Sequence, residues 1–147
     1  MNIVIAADHA GFELKQAIID YLNEKGHQVV DLGPFSNQTS DYPQKAALAV
    51  KALKAGQGEM GVLVCGSGIG MDIAANRFPG IRAVLAPTVD HARLGRSHNN
   101  GNVLCLGARL TPPGLALKIV EEFIKTPFEG GRHQRRVDML DQMPEGA

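Results

Sequence analysis

Five short apolar runs divide the chain, and each is followed by a stretch in which apolar residues recur every three or four positions. Continuous apolar runs are typical of strands buried on both faces, and the wider spacing is typical of helices. The runs cover residues 2–7, 29–32, 61–65, 82–86 and 103–107. The pattern therefore predicts an α/β fold with a five-stranded parallel sheet that helices cover on both faces.

Turn and cap residues mark where the helices should begin and end. The first helix is expected to end before Gly26, and Pro43 suits the first turn of the second. Three further helices and a final polar helix are expected to begin near Gly70, Thr88, Pro112 and Gly130. No repeat or linker interrupts this order, so we expect a single domain over residues 1–147.

Charge and hydropathy exclude several classes of protein. Fifteen basic and fifteen acidic residues cancel, and no basic stripe with interleaved aromatic residues indicates nucleic-acid binding. No apolar run approaches the roughly 18 residues of a membrane span, and the start of the chain lacks the charged region of a signal peptide. We therefore expect a cytoplasmic protein with a small-molecule partner, in which Cys65 and Cys105 stay unpaired.

The glycine-rich turn after the third strand is the feature best suited to chemistry. Cys65 closes the strand, and the alternation of Gly66, Gly68 and Gly70 allows N–H groups to point into one concavity at a helix N-terminus. A thiolate and an anionic intermediate would both be stabilised there. Two other interpretations stay open, an inert buried cysteine and a dinucleotide site. The dinucleotide fingerprint is disfavoured because it needs its third glycine at position 71 and belongs after the first strand.

Two polar clusters offer side chains for proton transfer. Asp8-His9 follows the first strand, and His98-Asn99 precedes the last. His98 could move a hydroxyl proton that Asn99 orients, but the run from His98 to Asn102 also suits a helix-ending turn, because Asn and Gly tolerate left-handed backbone. Asp8 could cap the first helix, handle a proton or bind a hydroxyl group. The residues alone leave these alternatives open.

Two arginines near the end of the chain have the spacing of an anion clamp. Arg132 and Arg136 are four residues apart and share one face of a helix, while Arg135 points elsewhere. Two guanidinium groups on one face can grip a phosphate dianion, although a solvated basic face has the same pattern. The chain contains neither an HxH nor an HxxxH pair, so we expect no metal site.

Six segments, read in order, form a specific set. They are Asp8-His9-Ala10-Gly11, Asp41-Tyr42-Pro43, residues 65–70, His98-Asn99, Gly107-Ala108-Arg109 and residues 129–137. Together they resemble ribose-5-phosphate isomerase type B, a family of sugar-phosphate isomerases. The joint occurrence of a Cys-Gly-x-Gly-x-Gly turn and a Glu-Gly-Gly-Arg-His segment is far more specific than either alone. Some members carry Glu shortly after the glycines and lack the cysteine, and this chain resembles the other branch.

The resemblance implies a Rossmann-like three-layer αβα sandwich and a role for each matched residue. It makes Cys65 the base that abstracts a carbon-bound proton and His98 the acid or base that opens the sugar ring, and Ser67 would help to hold the developing oxyanion. The positions that match substrate-binding or pocket-lining residues are Asp8, His9, Tyr42, Gly66, Ser67, Gly68, Ile69, Gly70, Asn99, Arg109, Arg132 and Arg136.

The implied reaction interconverts ribose 5-phosphate and ribulose 5-phosphate through an enediolate, a step of pentose phosphate metabolism. It requires neither a redox cofactor nor a metal. Members of the family are homodimers or dimers of dimers whose sites draw residues from both subunits, so we expect a homo-oligomer with no nucleic-acid or membrane partner. Two alternatives remain: an isomerase of a hexose 6-phosphate, either allose or galactose, and a sugar-phosphate binding domain without catalysis.

Overall fold

The computed structural model describes residues 1–143, and within them the chain alternates strands with helices. The strands are β1 (Asn2–Ala7), β2 (Gln28–Asp31), β3 (Met60–Cys65), β4 (Ala83–Leu85) and β5 (Val103–Gly107). The helices are α1 (Phe12–Glu24), α2 (Tyr42–Lys54), α3 (Ile69–Ala75), α4 (Val89–Ser97), α5 (Pro113–Lys125) and α6 (Arg132–Asp141). A single 3-10 turn over His9–Gly11 leads from β1 into α1.

The strands form one parallel sheet in the order β2-β1-β3-β5-β4. This confirms the predicted five-stranded parallel sheet. Two strands differ slightly from their apolar runs, since β2 begins at Gln28 and β4 is shortened to Ala83–Leu85. At the start of β4, the backbone N–H of Arg82 donates to the Asn102 side chain at 2.8 Å instead of joining the ladder.

Alternate residues of each central strand enter two separate cores. On β3, Val62 and Val64 pack against one face and Leu63 and Cys65 against the other. Helices α1, α4 and α5 supply the first core, and α2 and α3 supply the second. The result is the three-layer αβα sandwich, which explains why every residue of β3 is buried and why its run shows no polar alternation.

Local signals begin the helices where the sequence predicts them. Pro43 occupies the first turn of α2, and the Thr88 side chain accepts the backbone N–H of His91 at 3.2 Å at the start of α4. The last helix, α6, buries only His133 and Val137 against the rest of the chain. None of the helices in the described part of the chain combines the length and apolar character needed to cross a bilayer.

Candidate functional site

A cleft of about 530 Å³ opens at the carboxyl edge of the sheet, where β1, β3 and β5 end. In a parallel α/β sheet this edge is where loops gather to bind ligands. Eight of the residues singled out from the sequence line the cleft: Asp8, Tyr42, Cys65, Gly66, Ser67, Ile69, Gly70 and Arg109. Ile73 and Leu110 complete its wall. The structure therefore brings these residues together at one place.

Cys65 is a buried thiol at the inner end of this cleft. Its Sγ accepts the backbone N–H of Gly68 at 3.2 Å, so the glycine-rich turn folds back over the sulfur. The turn therefore places a backbone N–H donor directly on the cysteine sulfur.

Gly68 is the residue that allows the turn to close. Its φ is +79°, and a Cβ there would lie 2.9 Å from the Leu106 carbonyl carbon and 3.1 Å from the Gly107 nitrogen. Any side chain would meet both left-handed strain and a backbone clash with β5. The Ser67 hydroxyl accepts the Ile69 N–H at 3.2 Å, which holds it at the mouth of the turn.

Arg109 and Tyr42 pack against the glycine turn and line the cleft. A Cβ on Gly66 would lie 3.2 Å from an Arg109 guanidinium nitrogen, and a Cβ on Gly70 would lie 2.7 Å from the Tyr42 ring. Both side chains therefore lie close to glycine backbone, and they give the cleft a cationic group and an aromatic hydroxyl.

Asp8 and His9 sit beside the cleft as the end of β1 turns into α1. The Asp8 carboxylate accepts the Gly11 N–H at 3.2 Å, so it caps the 3-10 turn and also lines the cleft. The Nδ1 atom of His9 lies 3.1 Å from the Ser40 carbonyl oxygen and 3.2 Å from the Ser40 nitrogen. This contact ties His9 to the loop over residues 33–41 and fixes the plane of its ring.

His98 and Asn99 lie in a helix-ending turn that the rest of the chain holds firmly. Asn100 has a φ of +49°, as the turn interpretation requires. Arg96 donates to the Asn100 side chain at 3.1 Å, to the Gly101 carbonyl at 2.6 Å and to the Thr126 carbonyl at 3.2 Å. Asn100 thus has a structural role, whereas Asn99 remains exposed.

The end of the chain packs against this same turn. The backbone N–H of Glu129 donates to the Ser97 carbonyl at 3.0 Å, and the His133 ring of α6 stacks on the His98 ring. Arg82 forms an ion pair with Asp141 at 3.1 Å at the other end of α6. Arg132 and Arg136 are exposed on α6, the helix whose His133 stacks on His98.

The residues that line the cleft, which we call the Cys65 group, and the residues around the helix-ending turn, which we call the His98 group, lie at opposite ends of the strands. Of the predicted site residues, the His98 group contains His98, Asn99, Arg132 and Arg136. Cys65 ends β3, while the Asn102 carbonyl, just after the His98 turn, accepts the N–H of Gly61 at the start of β3. Because β3 has six residues at about 3.3 Å each, its ends are about 16 Å apart. A single chain therefore does not bring Cys65 and His98 together.

Sequence reasoning missed His133 and Glu129 as members of the second group. Potential ligand atoms of His98, Glu129 and His133 lie within 4.8 Å of one another. The two imidazole rings are stacked with an interplanar angle of 15°, however, so their nitrogen lone pairs run side by side instead of converging. Zinc needs donors that converge at about 2.0–2.1 Å, and this arrangement does not fit it.

The chain is similar to known proteins over almost its whole length. The family model for the ribose/galactose isomerases matches residues 3–140. Ribose-5-phosphate isomerase B of Escherichia coli K12 is 43% identical, covering 95% of this chain and 93% of that protein. A crystal structure of a ribose 5-phosphate isomerase from Thermotoga maritima is 48% identical with a TM-score of 0.94, covering 97% of this chain and 98% of that one. The Mycoplasma genitalium isomerase B with bound ribulose 5-phosphate is 44% identical with a TM-score of 0.90, covering 96% and 94%.

Proposed function

The chain belongs to the ribose/galactose isomerase family and is an isomerase, and from this premise we propose that it interconverts ribose 5-phosphate and ribulose 5-phosphate. The observation that carries the proposal is the Cys65 sulfur under the Gly68 N–H at 3.2 Å, inside a cleft large enough for a small sugar phosphate. The bound ribulose 5-phosphate in the Mycoplasma genitalium relative supports the same substrate class.

In the proposed reaction, the Cys65 thiolate removes the proton from C2 of the open-chain aldose. The electron pair moves into the C1–C2 bond and makes an enediolate with the negative charge on O1. The proton of the O2 hydroxyl passes to O1, and Cys65 then returns its proton to C1 as the C2 carbonyl forms. Backbone N–H groups of the turn over residues 66–70, with the Ser67 hydroxyl, would stabilise the oxygen that gains negative charge. The hydrogen moves within one molecule, so the reaction balances without an external oxidant, a redox cofactor or a metal.

His98 is proposed to act before this step, because ribose 5-phosphate is mostly a closed ring. It would accept the proton of the C1 hydroxyl and deliver a proton to the ring oxygen, with Asn99 orienting the sugar. His98 is half-buried and Asn99 is exposed, so both side chains are within reach of a ligand at the surface. Asp8, which lines the cleft, is a proposed hydroxyl ligand.

Arg132 and Arg136 are proposed to hold the phosphate, with Arg109 and His9 approaching it from the other half of the site. Two guanidinium groups four residues apart on α6 can share one dianion. Binding energy from this remote group positions the reacting carbon beside Cys65 without taking part in bond making.

A second copy of the chain is proposed to complete the site, since Cys65 and the His98 group lie at opposite ends of the strands. Helix α6 supports this, because Met139 and Leu140 are about half exposed although they carry large apolar side chains. Ile73 beside the cleft is 58% exposed. We propose a homodimer, or a dimer of dimers, in which the His98 group of one chain faces the cleft of the other. The cytoplasmic location stays a prediction from the sequence.

The family also includes isomerases of galactose phosphates, so a hexose 6-phosphate is the second candidate substrate. The test is to compare turnover of ribose 5-phosphate, allose 6-phosphate and galactose 6-phosphate by the purified protein, with the Cys65→Ala variant as the control for contaminating isomerases. A kcat/KM for ribose 5-phosphate at least tenfold above those for both hexose phosphates is expected. A preference for either hexose phosphate would contradict the assignment.

A further inference from the structure

The ring of His133 lies face to face with the ring of His98. Their centroids are 4.2 Å apart and their planes differ by 15°. His133 comes from α6, and His98 is the residue that ends α4. The stack therefore joins two histidines that are 35 positions apart in the chain. It covers one face of His98, the proposed ring-opening residue.

His133 is almost entirely buried, with 7% of its surface exposed. Its Nε2 atom lies 3.4 Å from a Glu129 carboxylate oxygen but makes no hydrogen bond within the described residues. Burial lowers the pKa of His133, and the charges of His98, Arg132 and Arg136 lower it further, while Glu129 alone opposes them. Burial and these positive neighbours therefore favour the neutral form of the His133 ring.

A neutral ring beneath His98 has two physical consequences. It removes one direction in which the His98 side chain could rotate, because one face of the half-buried His98 ring is occupied. It also allows His98 to carry a positive charge during proton transfer, since a cation over a neutral aromatic face is stabilised whereas two stacked cations repel.

We propose that His133 is a positioning residue for His98: its ring is the support that directs the nitrogen edge of His98 toward the sugar ring. This inference rests on the proposed function, in which His98 opens the furanose. The sequence motifs assign no role to His133, and His133 is not among the residues that line the cleft. Its action is through the His98 side chain and not through contact with substrate.

The test compares two substitutions that fill the same buried space. His133→Phe keeps a flat aromatic face without nitrogens, and His133→Leu fills the space without a face. Two reactions are measured for each variant: isomerisation of ribose 5-phosphate, which needs ring opening, and incorporation of solvent deuterium at C1 of ribulose 5-phosphate, which does not. The thermal midpoint of unfolding reports whether the fold is intact.

We expect His133→Leu to lower kcat/KM for isomerisation about tenfold, less than the hundredfold or more that losing a general acid–base residue costs. Deuterium exchange should stay within about twofold of the wild type, and His133→Phe should isomerise within about threefold of it. The double variant His98→Asn/His133→Leu should be no slower than His98→Asn alone, because a residue that acts only through His98 has nothing left to support.

Four outcomes would overturn the inference. His133→Leu could isomerise normally, it could lose exchange and isomerisation equally, His133→Phe could be as slow as His133→Leu, or the double variant could be additive. Should His133→Leu fail to fold, His133→Gln replaces it under the same thresholds. If the wild type turns over ribose 5-phosphate and His133→Leu does so equally well, only this inference is refuted. If the wild type shows neither isomerisation nor deuterium exchange, the proposed function is refuted as well.

Discussion

The two cysteines differ in their access to the cleft because they occupy different positions in their strands. Both are buried in the same core layer on the face covered by α2 and α3. Cys65 ends β3 and lines the cleft, whereas Cys105 is fully enclosed in β5. Burial raises the pKa of the Cys105 thiol well above its ordinary value, and the charges of Asp72 and Cys65 raise it further. Cys105 therefore stays a neutral core residue.

Cys65→Ala should abolish isomerisation while leaving the fold and substrate binding intact. The loss should be at least the 10²–10⁴-fold that general bases contribute, because no other side chain of the turn can take a carbon-bound proton. Cys105→Ala is the matched control: it should keep the activity and lower only the thermal midpoint, since it leaves a small cavity. Steady-state kinetics and thermal unfolding measure both, and equal activity losses in the two variants would point to folding instead of chemistry.

His98→Asn should separate ring opening from proton transfer at carbon. Because the overall equilibrium constant is fixed, kcat/KM must fall by the same factor in both directions, so the direction of reaction cannot discriminate. Deuterium incorporation at C1 of acyclic ribulose 5-phosphate can discriminate the two steps, because it needs no ring opening. It should persist in His98→Asn and vanish in Cys65→Ala. If exchange in His98→Asn falls as far as isomerisation does, His98 serves the enediolate step.

Arg136→Ala should weaken binding of phosphorylated substrates by about 2–4 kcal/mol, the usual cost of removing one partner from a desolvated charge pair. Arg135→Ala is the control, since Arg135 points along another face of α6 toward Met139 at 3.5 Å. Inhibition constants for inorganic phosphate should rise for Arg136→Ala and not for Arg135→Ala. A similar rise in both would mean that α6 contributes only its general positive charge.

The sequence predicted some of these residues and not others for identifiable reasons. Cys65 stands at the junction of an apolar run and alternating glycines, which is a local signal. His133 stands in the Glu-Gly-Gly-Arg-His segment, but the charged residues around it predict an exposed surface, so the sequence assigned it no role of its own. Its spacing of four from Val137, the other buried residue of α6, was the available indication.

At the scale of elements, the glycine turn is sensitive to substitution at Gly68. Gly68 and Gly56 have the same φ of +79°, but a Cβ on Gly56 would meet nothing within 4 Å. The two positions therefore share left-handed strain, but at Gly68 a side chain would also clash with Leu85 and β5, and the Gly68 N–H faces Cys65.

Gly56→Ala should lower the free energy of unfolding by about 1–2 kcal/mol, the cost of left-handed backbone for a residue with a Cβ. Gly68→Ala should cost more than Gly56→Ala and should also lose most of its activity, because relief of the clash moves the turn away from Cys65. Chemical denaturation and kinetics on both variants measure this difference. Equal stability with full activity at both positions would show that the turn tolerates a side chain.

The apolar runs predicted all five strands and the burial of both faces, since period and length are local properties of the sequence. The order β2-β1-β3-β5-β4 was not predicted, because the apolar runs do not show that β5 lies between β3 and β4. The short β4 also lost a residue at each end of its apolar run, where the Asn102 side chain takes the Arg82 N–H.

At the scale of the whole molecule, the proposed site residues fall into two groups that one chain holds apart. The resemblance implied sites shared between subunits, but the sequence could not show which residues fall in which group, because motif order carries no information about which end of the strands each segment reaches. The direction of the strands supplies it: β3 runs away from the His98 turn and ends at Cys65. Assembly of two copies is therefore the step that the proposed chemistry requires.

Mixing two inactive variants tests this assembly. Cys65→Ala and His98→Asn should each be inactive, but a heterodimer of the two places both substitutions in one site and leaves the other site intact. With random pairing of equal amounts, half of the dimers are mixed and about one quarter of all sites regain full function. Activity should therefore rise to about 25% of the wild type after co-refolding, with each variant refolded alone as the control. If each site instead took Cys65 and His98 from the same chain, every site in the mixture would keep one substitution, and no activity would return.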